Sequence, residues 1–334
     1  MLIPLPVHKW STLLRRGVTS SENFYEAIQQ RSTFRTFHRN GQATVKCNSV
    51  NDKQKYSESD ENLENRRRMQ SIQGIFAASS LFMVLWVFSP FPGSAFVGFQ
   101  WHDELVHKIW RLSPFISNFV PESLLLKYTE LGPAPGILHA VPSAIWCALA
   151  PLQLYPPVRE WAIRAGLHAP AGRAMLAAAA AAMCGVALID AGGLFADVAD
   201  FEGHGGALAS LVDSAGALPA PMNHIGMRGL AVWFAATGAL SWAAARRRDW
   251  AAHRRWAIRH AGAGLWVAAQ RPLFSVARAV QIVALGSAAD GSAAQADVFY
   301  AAAYVVTLAY AVMAEWYARA DEPSTTPRPP PATP

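Results

Sequence analysis

The sequence predicts an all-α fold, a polytopic membrane helix bundle of about six transmembrane helices with disordered termini. Three observations favour this fold. Of the 334 residues, 52% are hydrophobic and only 16% are charged, whereas about a quarter of the residues in a soluble protein carry a charge. The hydrophobic residues are concentrated in segments of about 20 residues, the length that crosses a hydrocarbon core. Arginines flank these segments, so the net charge of +6 indicates membrane topology and not nucleic-acid binding.

The chain before the first predicted span is polar, and residues 1–70 are predicted to be a disordered or targeting region. Few acidic residues accompany the arginines up to Arg39, which is typical of an organelle transit peptide. A disordered cytosolic tail has the same composition, and both interpretations stay open. Residues 48–68 are charged and nearly free of large apolar side chains, which predicts a linker.

Residues 71–134 are predicted to hold the first transmembrane helix and an outer loop. The span, Ser71–Phe91, is uncharged and follows three consecutive arginines. In the loop, aromatic and charged residues alternate, and Asp103–Leu112 is predicted to form a short interfacial helix.

Residues 135–317 are predicted to form the core bundle, and residues 318–334 a disordered Pro-rich tail. The third span is mostly alanine, which suits close helix packing inside a bundle. The second to sixth spans are predicted at Gly136–Tyr155, Ala174–Phe195, His224–Ala245, Trp256–Leu285 and Val298–Tyr317.

The distribution of charge predicts the orientation of these spans. With six crossings, both termini, the 159–173 connection and the 246–255 loop lie on one face, which holds nearly all the arginine. The acidic 195–223 loop lies on the other face. The positive-inside rule therefore predicts a multi-pass protein of the lipid bilayer with both termini in the cytoplasm, or in the matrix or stroma of an organelle.

The fifth span carries three polar residues on one face, His260, Arg271 and Arg278, at steps of eleven and eighteen residues from the first. An arginine within a span is expensive in lipid, so it is expected to point into the protein and meet a partner. Asp190 and Glu315 are the candidate carboxylates.

The histidines fall at two predicted depths. His139 and His224 lie toward the outer side, and His168, His253 and His260 toward the inner side. Paired histidines from two helices are the axial ligands that a b-type haem requires, and Arg271 is a candidate partner for a propionate. The sequence has no C-x-x-C-H motif, which excludes covalent haem attachment. Haem b and a redox partner are therefore predicted, but no metal-ion site.

A longer pattern resembles a known family. H-R-R-W-A-I-R-H followed by A-A-Q-R, with the upstream G-I-L-H-A-V-P-S and L-H-A-P-A-G-R, resembles the membrane family called domain of unknown function 2306, over about Pro135 to Leu285. The resemblance implies a multi-span membrane protein and no settled activity. Two positions, Ala169 and Ala257, depart from the family pattern. The matching positions are His139, Arg159, His168, Gly172, Arg173, His253, Arg254, Trp256, Arg259 and Arg271.

Three functions remain open on the sequence. The first is a haem-b-binding transmembrane redox protein. The second is a small-molecule or proton-coupled transporter whose path is lined by the polar face of the fifth span. The third is a non-catalytic membrane assembly subunit whose alanine-rich spans pack against other membrane subunits. The sequence contains no nucleophile elbow, phosphate loop or dinucleotide motif, so it assigns no catalytic residue.

Overall fold

The computed structural model describes residues 49–89, 96–112, 127, 129–196, 200, 222–285 and 292–320. The chain divides into two compact units, Met1–Glu58 and Ser59–Pro334, and most of the described residues belong to the second. Every regular element in these ranges is a helix, which confirms the all-α prediction. Disorder was predicted for residues 1–70 and 318–334. Residues 1–48 and 321–334 lie outside the described residues, whereas residues 49–70 and 318–320 belong to helices.

The helices follow one another closely along the chain. In α3 the first turn, Gly136–Ala140, is a π-helix, and the following residues continue as an α-helix to Leu154. In order, the helices are α1 (Ser49–Phe88), α2 (Gln100–Leu112), α3 (Gly136–Leu154), α4 (Pro156–Arg164), α5 (His168–Ala191), α6 (Met222–Arg246), α7 (Trp250–Leu285) and α8 (Ser292–Ala320).

Four of the described helices are long and apolar enough to cross a membrane: Leu63–Phe88 within α1, α3, α5, and Ala294–Ala320 within α8. They correspond to the predicted first, second, third and sixth spans. The other two predicted spans form helices of sufficient length, 25 residues in α6 and 36 in α7. They are less apolar, because Arg228 and Arg246 bound the uncharged part of α6 and arginines recur along α7. The count of about six is therefore not confirmed.

The linker predicted at residues 48–68 is instead helical from Ser49 onward, as the first part of α1. Its residues are polar but include neither proline nor glycine, and many are good helix formers. Glu64 and Arg68 form an ion pair one turn apart, the spacing that stabilises a solvated helix. Composition indicated the polarity of this segment correctly, but polarity alone does not distinguish a linker from an exposed helix.

The short helix predicted at 103–112 is confirmed as α2, which begins at Gln100. The Asp103 carboxylate accepts hydrogen bonds from the backbone N–H groups of Val97 and Gly98, both at 2.9 Å, and so holds the preceding turn against the helix. His102 and Val106 are buried, while Trp101 is exposed. This division into two faces is typical of a helix at a membrane interface.

One hydrophobic core joins α7 to all four candidate membrane helices, and Phe76 is the buried residue that α1 contributes to it. Ile258 and Leu265 of α7 are fully buried in it. Trp146 of α3, Met175 of α5 and Val306 of α8 belong to the same core. Helix α7 therefore runs among helices that are apolar enough to cross a membrane.

Close approach between α3 and α5 depends on Gly185. A Cβ atom at this position would lie 2.6 Å from the backbone nitrogen and the Cβ of His139, and 2.6 Å from the carbonyl carbon of Leu138. These atoms belong to the π-helical turn, so the two backbones are in contact without an intervening side chain. Small residues allow this kind of packing between membrane helices.

Gly185→Ala is expected to lower the free energy of unfolding by about 1–3 kcal/mol, because backbone atoms must move to admit the methyl group. Gly74→Ala is the matched control, since a Cβ there meets nothing within 4 Å. It is expected to stabilise α1 by up to about 1 kcal/mol. Thermal unfolding in detergent measures both variants. Equal melting temperatures for the two variants would contradict the close contact of α3 with α5.

Candidate functional site

His260 lies in the bundle core, where both of its ring nitrogens are hydrogen bonded. Nε2 accepts from the indole N–H of Trp146 at 3.0 Å, and Nδ1 donates to the backbone carbonyl of Phe234 at 3.0 Å. The imidazole also stacks on the Phe234 ring, with 4.2 Å between centroids. His260 therefore links α3, α6 and α7, and in this arrangement neither nitrogen is available to bind iron.

The other two polar residues on the same face of α7 have different environments. Arg278 is only 1% exposed and donates to the side-chain oxygen of Gln281 at 2.6 Å, which confirms the expectation of an inward-pointing arginine. Arg271 is partly buried.

The two carboxylates predicted as partners of Arg271 form ion pairs with other arginines. Asp190 binds Arg228 of α6 through contacts of 2.9–3.0 Å. Glu315 binds Arg259 and Arg319 at 2.8–2.9 Å. The pairing of Arg271 with Asp190 or Glu315 is therefore not confirmed, because both carboxylates, each near one end of its helix, bind other arginines.

Two of the predicted inner histidines lie near each other, at the adjoining ends of α5 and α7. His168 is the first residue of α5, and His253 lies in the first turn of α7, where the Asp249 carboxylate accepts from the N–H of Ala252 at 3.0 Å. Leu154 of α3, Met175 of α5 and Ile258 of α7 pack in one core, and both Arg159 of α4 and His253 act electrostatically on His168. We call Arg159, His168 and His253 the inner histidine site.

Backbone carbonyls orient both imidazoles of this site in the same way. Nδ1 of His168 lies 3.4 Å from the carbonyl oxygen of Leu152, and Nδ1 of His253 lies 3.0 Å from that of Ser241. A carbonyl only accepts, so the tautomer that satisfies both contacts carries the hydrogen on Nδ1 and the lone pair on Nε2. The Ser241 hydroxyl, 3.1 Å from Nδ1 of His253, then donates to the carbonyl of His253 at 3.4 Å. Histidines that bind metals are usually oriented by a hydrogen bond of this kind.

Polar contacts also fix the surroundings of the site. The amide of Gln153, near the end of α3, donates to the carbonyl of His168 at 3.0 Å. Gly172 leaves room for that amide, since a Cβ there would lie 3.1 Å from its oxygen. The Nε of Arg159 is buried, and no group of the described residues forms a hydrogen bond with it. The site therefore contains a cationic side chain with unused donor capacity beside two imidazoles.

The structure brings together some of the positions that carry the family resemblance and separates others. Arg159, His168, Gly172 and His253 come from three segments of the chain to the inner histidine site. Arg259 instead lies over the Trp256 ring, at 4.9 Å from its centroid, and binds Glu315.

The two predicted outer histidines lie on α3 and α6. Nδ1 of His139 is 3.3 Å from the carbonyl oxygen of Ala182, and the ring borders a cavity of about 140 Å³. His224 contacts the Phe195 ring edge to face, with 5.6 Å between centroids. The cavity beside His139 is smaller than the roughly 300–1,000 Å³ of pockets that hold molecules of cofactor size.

Sequence reasoning missed a second cavity, of about 290 Å³, between α6, α7 and α8. Most of its wall is apolar, and the ion pair of Arg259 with Glu315 lies at its edge. The spacing of Glu315 and Arg319, one helical turn apart, was visible in the sequence. The pairing across to α7 was not, because it depends on how α7 and α8 are rotated against each other.

Glu315→Gln is expected to lower the free energy of unfolding by about 1–2 kcal/mol, because two arginines lose their shared carboxylate. This expected loss of stability is at the low end for a charged pair, because the Glu315 side chain is 36% exposed. Glu160→Gln on the exposed side of α4 is the control and is expected to have no measurable effect. Arg259→Gln should cost more than Arg319→Gln, since their side chains are 20% and 73% exposed. Denaturation in detergent tests this order, and the reverse order would contradict it.

Comparisons with family models, with curated proteins and with solved structures find no match to this chain. The resemblance noted in the sequence therefore stays a prediction. The contacts described above are the basis for a functional proposal.

Proposed function

We propose that this chain is a multi-pass membrane redox protein that holds haem b at the inner histidine site, between His168 and His253. The observation that carries the proposal is the shared orientation of the two imidazoles. Both present Nε2 as an electron-pair donor, and they come from the ends of two different helices. A b-type haem takes two such nitrogens as axial ligands and transfers single electrons.

Each residue of the site has a role in this proposal. The carbonyls of Leu152 and Ser241 accept from Nδ1–H, which fixes the tautomer and raises the basicity of Nε2. The guanidinium of Arg159, with a buried and unused Nε–H, suits a carboxylate such as a propionate. His260 fits haem less well, because both of its ring nitrogens are occupied by hydrogen bonds.

The proposal includes six membrane crossings, with α6 and α7 as the fourth and fifth. In support of six crossings, α7 shares its core with all four helices that are apolar enough to cross. Six crossings put α4, the turn between α6 and α7, and both termini on the basic side. That side is the cytoplasm, or the matrix or stroma if the N-terminal region targets an organelle. A redox partner then docks on this side, where the inner histidine site lies.

Cysteine labelling tests the number of crossings. In a chain whose native cysteines are replaced by serine, Ala165→Cys and Arg247→Cys are labelled in sealed vesicles with an impermeant maleimide. Six crossings predict that both positions react from the same side. If α6 and α7 form a hairpin that does not cross, Arg247→Cys reacts from the side opposite to Ala165→Cys.

The transport and assembly alternatives have less support from the contacts. A path lined by His260, Arg271 and Arg278 needs open space beside these residues. His260 is instead enclosed by aromatic rings, and Arg278 is 1% exposed. The assembly alternative predicts stable co-purification with other membrane subunits and no cofactor.

Haem content tests the proposed function. The full chain is expressed with ample haem supply, purified in detergent and assayed for haem per polypeptide. We expect about one haem per chain and the spectrum of six-coordinate, bis-histidine iron. A folded, monodisperse sample without haem would overturn the proposal and favour the assembly alternative.

A further inference from the structure

Four sulfur-containing side chains contribute to the wall of the cavity beside His139. It lies between α1, α3, α5, α6 and α7, and three of the chain's eight methionines line it: Met83, Met183 and Met227. Cys147 and His139 also line it. Three methionines from three different helices therefore face the same small space as a cysteine and a histidine.

The local structure of α3 directs its two ligand-type residues to that space. His139, Ser143 and Cys147 are spaced by four residues, and all three line the cavity, which places them on one face of α3. The carbonyl of Ala182 faces Nδ1 of His139 at 3.3 Å, so Nδ1 carries the hydrogen and Nε2 has the lone pair. Cys147 is a free thiol, 3% exposed.

The chemistry of these groups selects a soft, monovalent ion. Thioether and thiolate sulfur bind Cu(I) in preference to Mg(II), Ca(II) or Mn(II), which take oxygen ligands. Within the described part of the chain, no group of three or more His, Cys, Asp and Glu residues is placed to hold a metal ion. The methionines are therefore what makes this cluster suitable for a metal. A cavity of about 140 Å³ has ample room for a single ion.

We propose that this cavity binds one Cu(I) ion through Cys147 and His139 together with one or more of Met83, Met183 and Met227. On binding, a Cu–S bond forms at Cys147 and the S–H bond breaks, so that Cu⁺ and the thiol give a copper thiolate and one released proton. No electron is transferred. The ion and the thiolate together are neutral, which lowers the cost of holding a cation among apolar helices.

Competition with a Cu(I) chelator under anaerobic conditions tests the site on the purified full chain. We expect one tightly bound Cu(I) per chain, no displacement by excess Mg(II), and one proton released per ion. Met183→Leu with Met227→Leu preserves apolar volume and removes two thioethers. It is expected to weaken Cu(I) binding at least about tenfold, the scale of effect that smaller changes around a metal site produce. Cys147→Ser is expected to weaken it further and to abolish proton release.

Met175→Leu is the matched control, because Met175 is buried in the core but does not line the cavity. Its Cu(I) affinity should equal that of the wild type. Size-exclusion profiles and melting temperatures establish that each variant is folded, and Ag(I), a redox-inert soft ion, is titrated in parallel. The proposal is overturned if the wild type binds no Cu(I), or if the double methionine variant and Cys147→Ser both bind as tightly as Met175→Leu. The site shares no residue with the inner histidine site, so the two proposals fail independently.

Discussion

His260→Leu is expected to lower the free energy of unfolding by about 2–4 kcal/mol, one of the two largest effects expected in this chain. The variant leaves the Trp146 indole N–H buried without its acceptor, which costs about 1–3 kcal/mol. It also removes the stack on Phe234 and the edge contact with Trp146, worth about 0.5–1.5 kcal/mol each for aromatic pairs. Denaturation in detergent micelles, followed by tryptophan fluorescence and by circular dichroism, measures the change.

A double-mutant cycle separates the hydrogen bond from the loss of packing. Trp146→Phe removes the donor and keeps an aromatic ring, so it should destabilise less than His260→Leu. In the presence of Trp146→Phe, the His260→Leu substitution leaves no orphaned donor, and its cost should fall by about 1 kcal/mol or more. Strictly additive effects would mean that the contact of 3.0 Å between these side chains contributes nothing to stability.

The second large effect is the loss of haem from variants of the inner histidine site. His168→Ala and His253→Ala are each expected to abolish bound haem, because each removes one axial nitrogen. Their effect on stability should be small, since both side chains are only partly buried. His253→Met supplies a thioether in place of the imidazole and is expected to retain haem with a shifted spectrum and a higher reduction potential.

His260→Leu is the control for this prediction. When it is purified at a temperature where it is folded, this variant should keep the wild-type haem content, because both ring nitrogens of the native His260 serve structural hydrogen bonds. Arg159→Gln should keep haem but bind it less tightly, because the propionate loses a cationic partner. Retention of haem by His168→Ala and His253→Ala, with loss in His260→Leu, would reverse the assignment.

Hydrophobic pattern and segment length predicted the helices well. The apolar segments that begin at Ser71, Gly136, Ala174 and Val298 lie in helices that the structure places among the candidate membrane spans. Burial of Arg278 also followed from its position in an apolar helix. These features depend on local composition and on the periodicity of one helix, which a single sequence contains.

Pairing between helices was less predictable. Asp190 and Glu315 were the candidate partners of Arg271 because they lie within predicted spans. They bind Arg228 and Arg259 instead. Such pairs depend on the rotation and depth of each helix against its neighbour, and no local pattern contains that information. The proximity of His168 to His253 was suggested only by their common side of the predicted topology. Their orientation by the carbonyls of Leu152 and Ser241 depends on how α3 and α6 pack against them, which no local sequence pattern contains.

The methionine cluster could not be predicted from the sequence for a different reason. Met83, Met183 and Met227 are far apart in the sequence, and each is an ordinary apolar residue of its own helix. Only their convergence with Cys147 and His139 on one cavity indicates a soft-metal site. The close contact that Gly185 allows between α5 and the π-helical turn sets the position of His139 in that wall.

The measurement that tests the central proposal most directly is the dithionite-reduced minus oxidised difference spectrum of the wild type and of His253→Ala, purified side by side. We predict a Soret band and sharp α and β bands for the wild type, and none for His253→Ala at an unchanged protein yield. A featureless wild-type spectrum from folded protein, or equal bands in both samples, would contradict the assignment of haem to the inner histidine site.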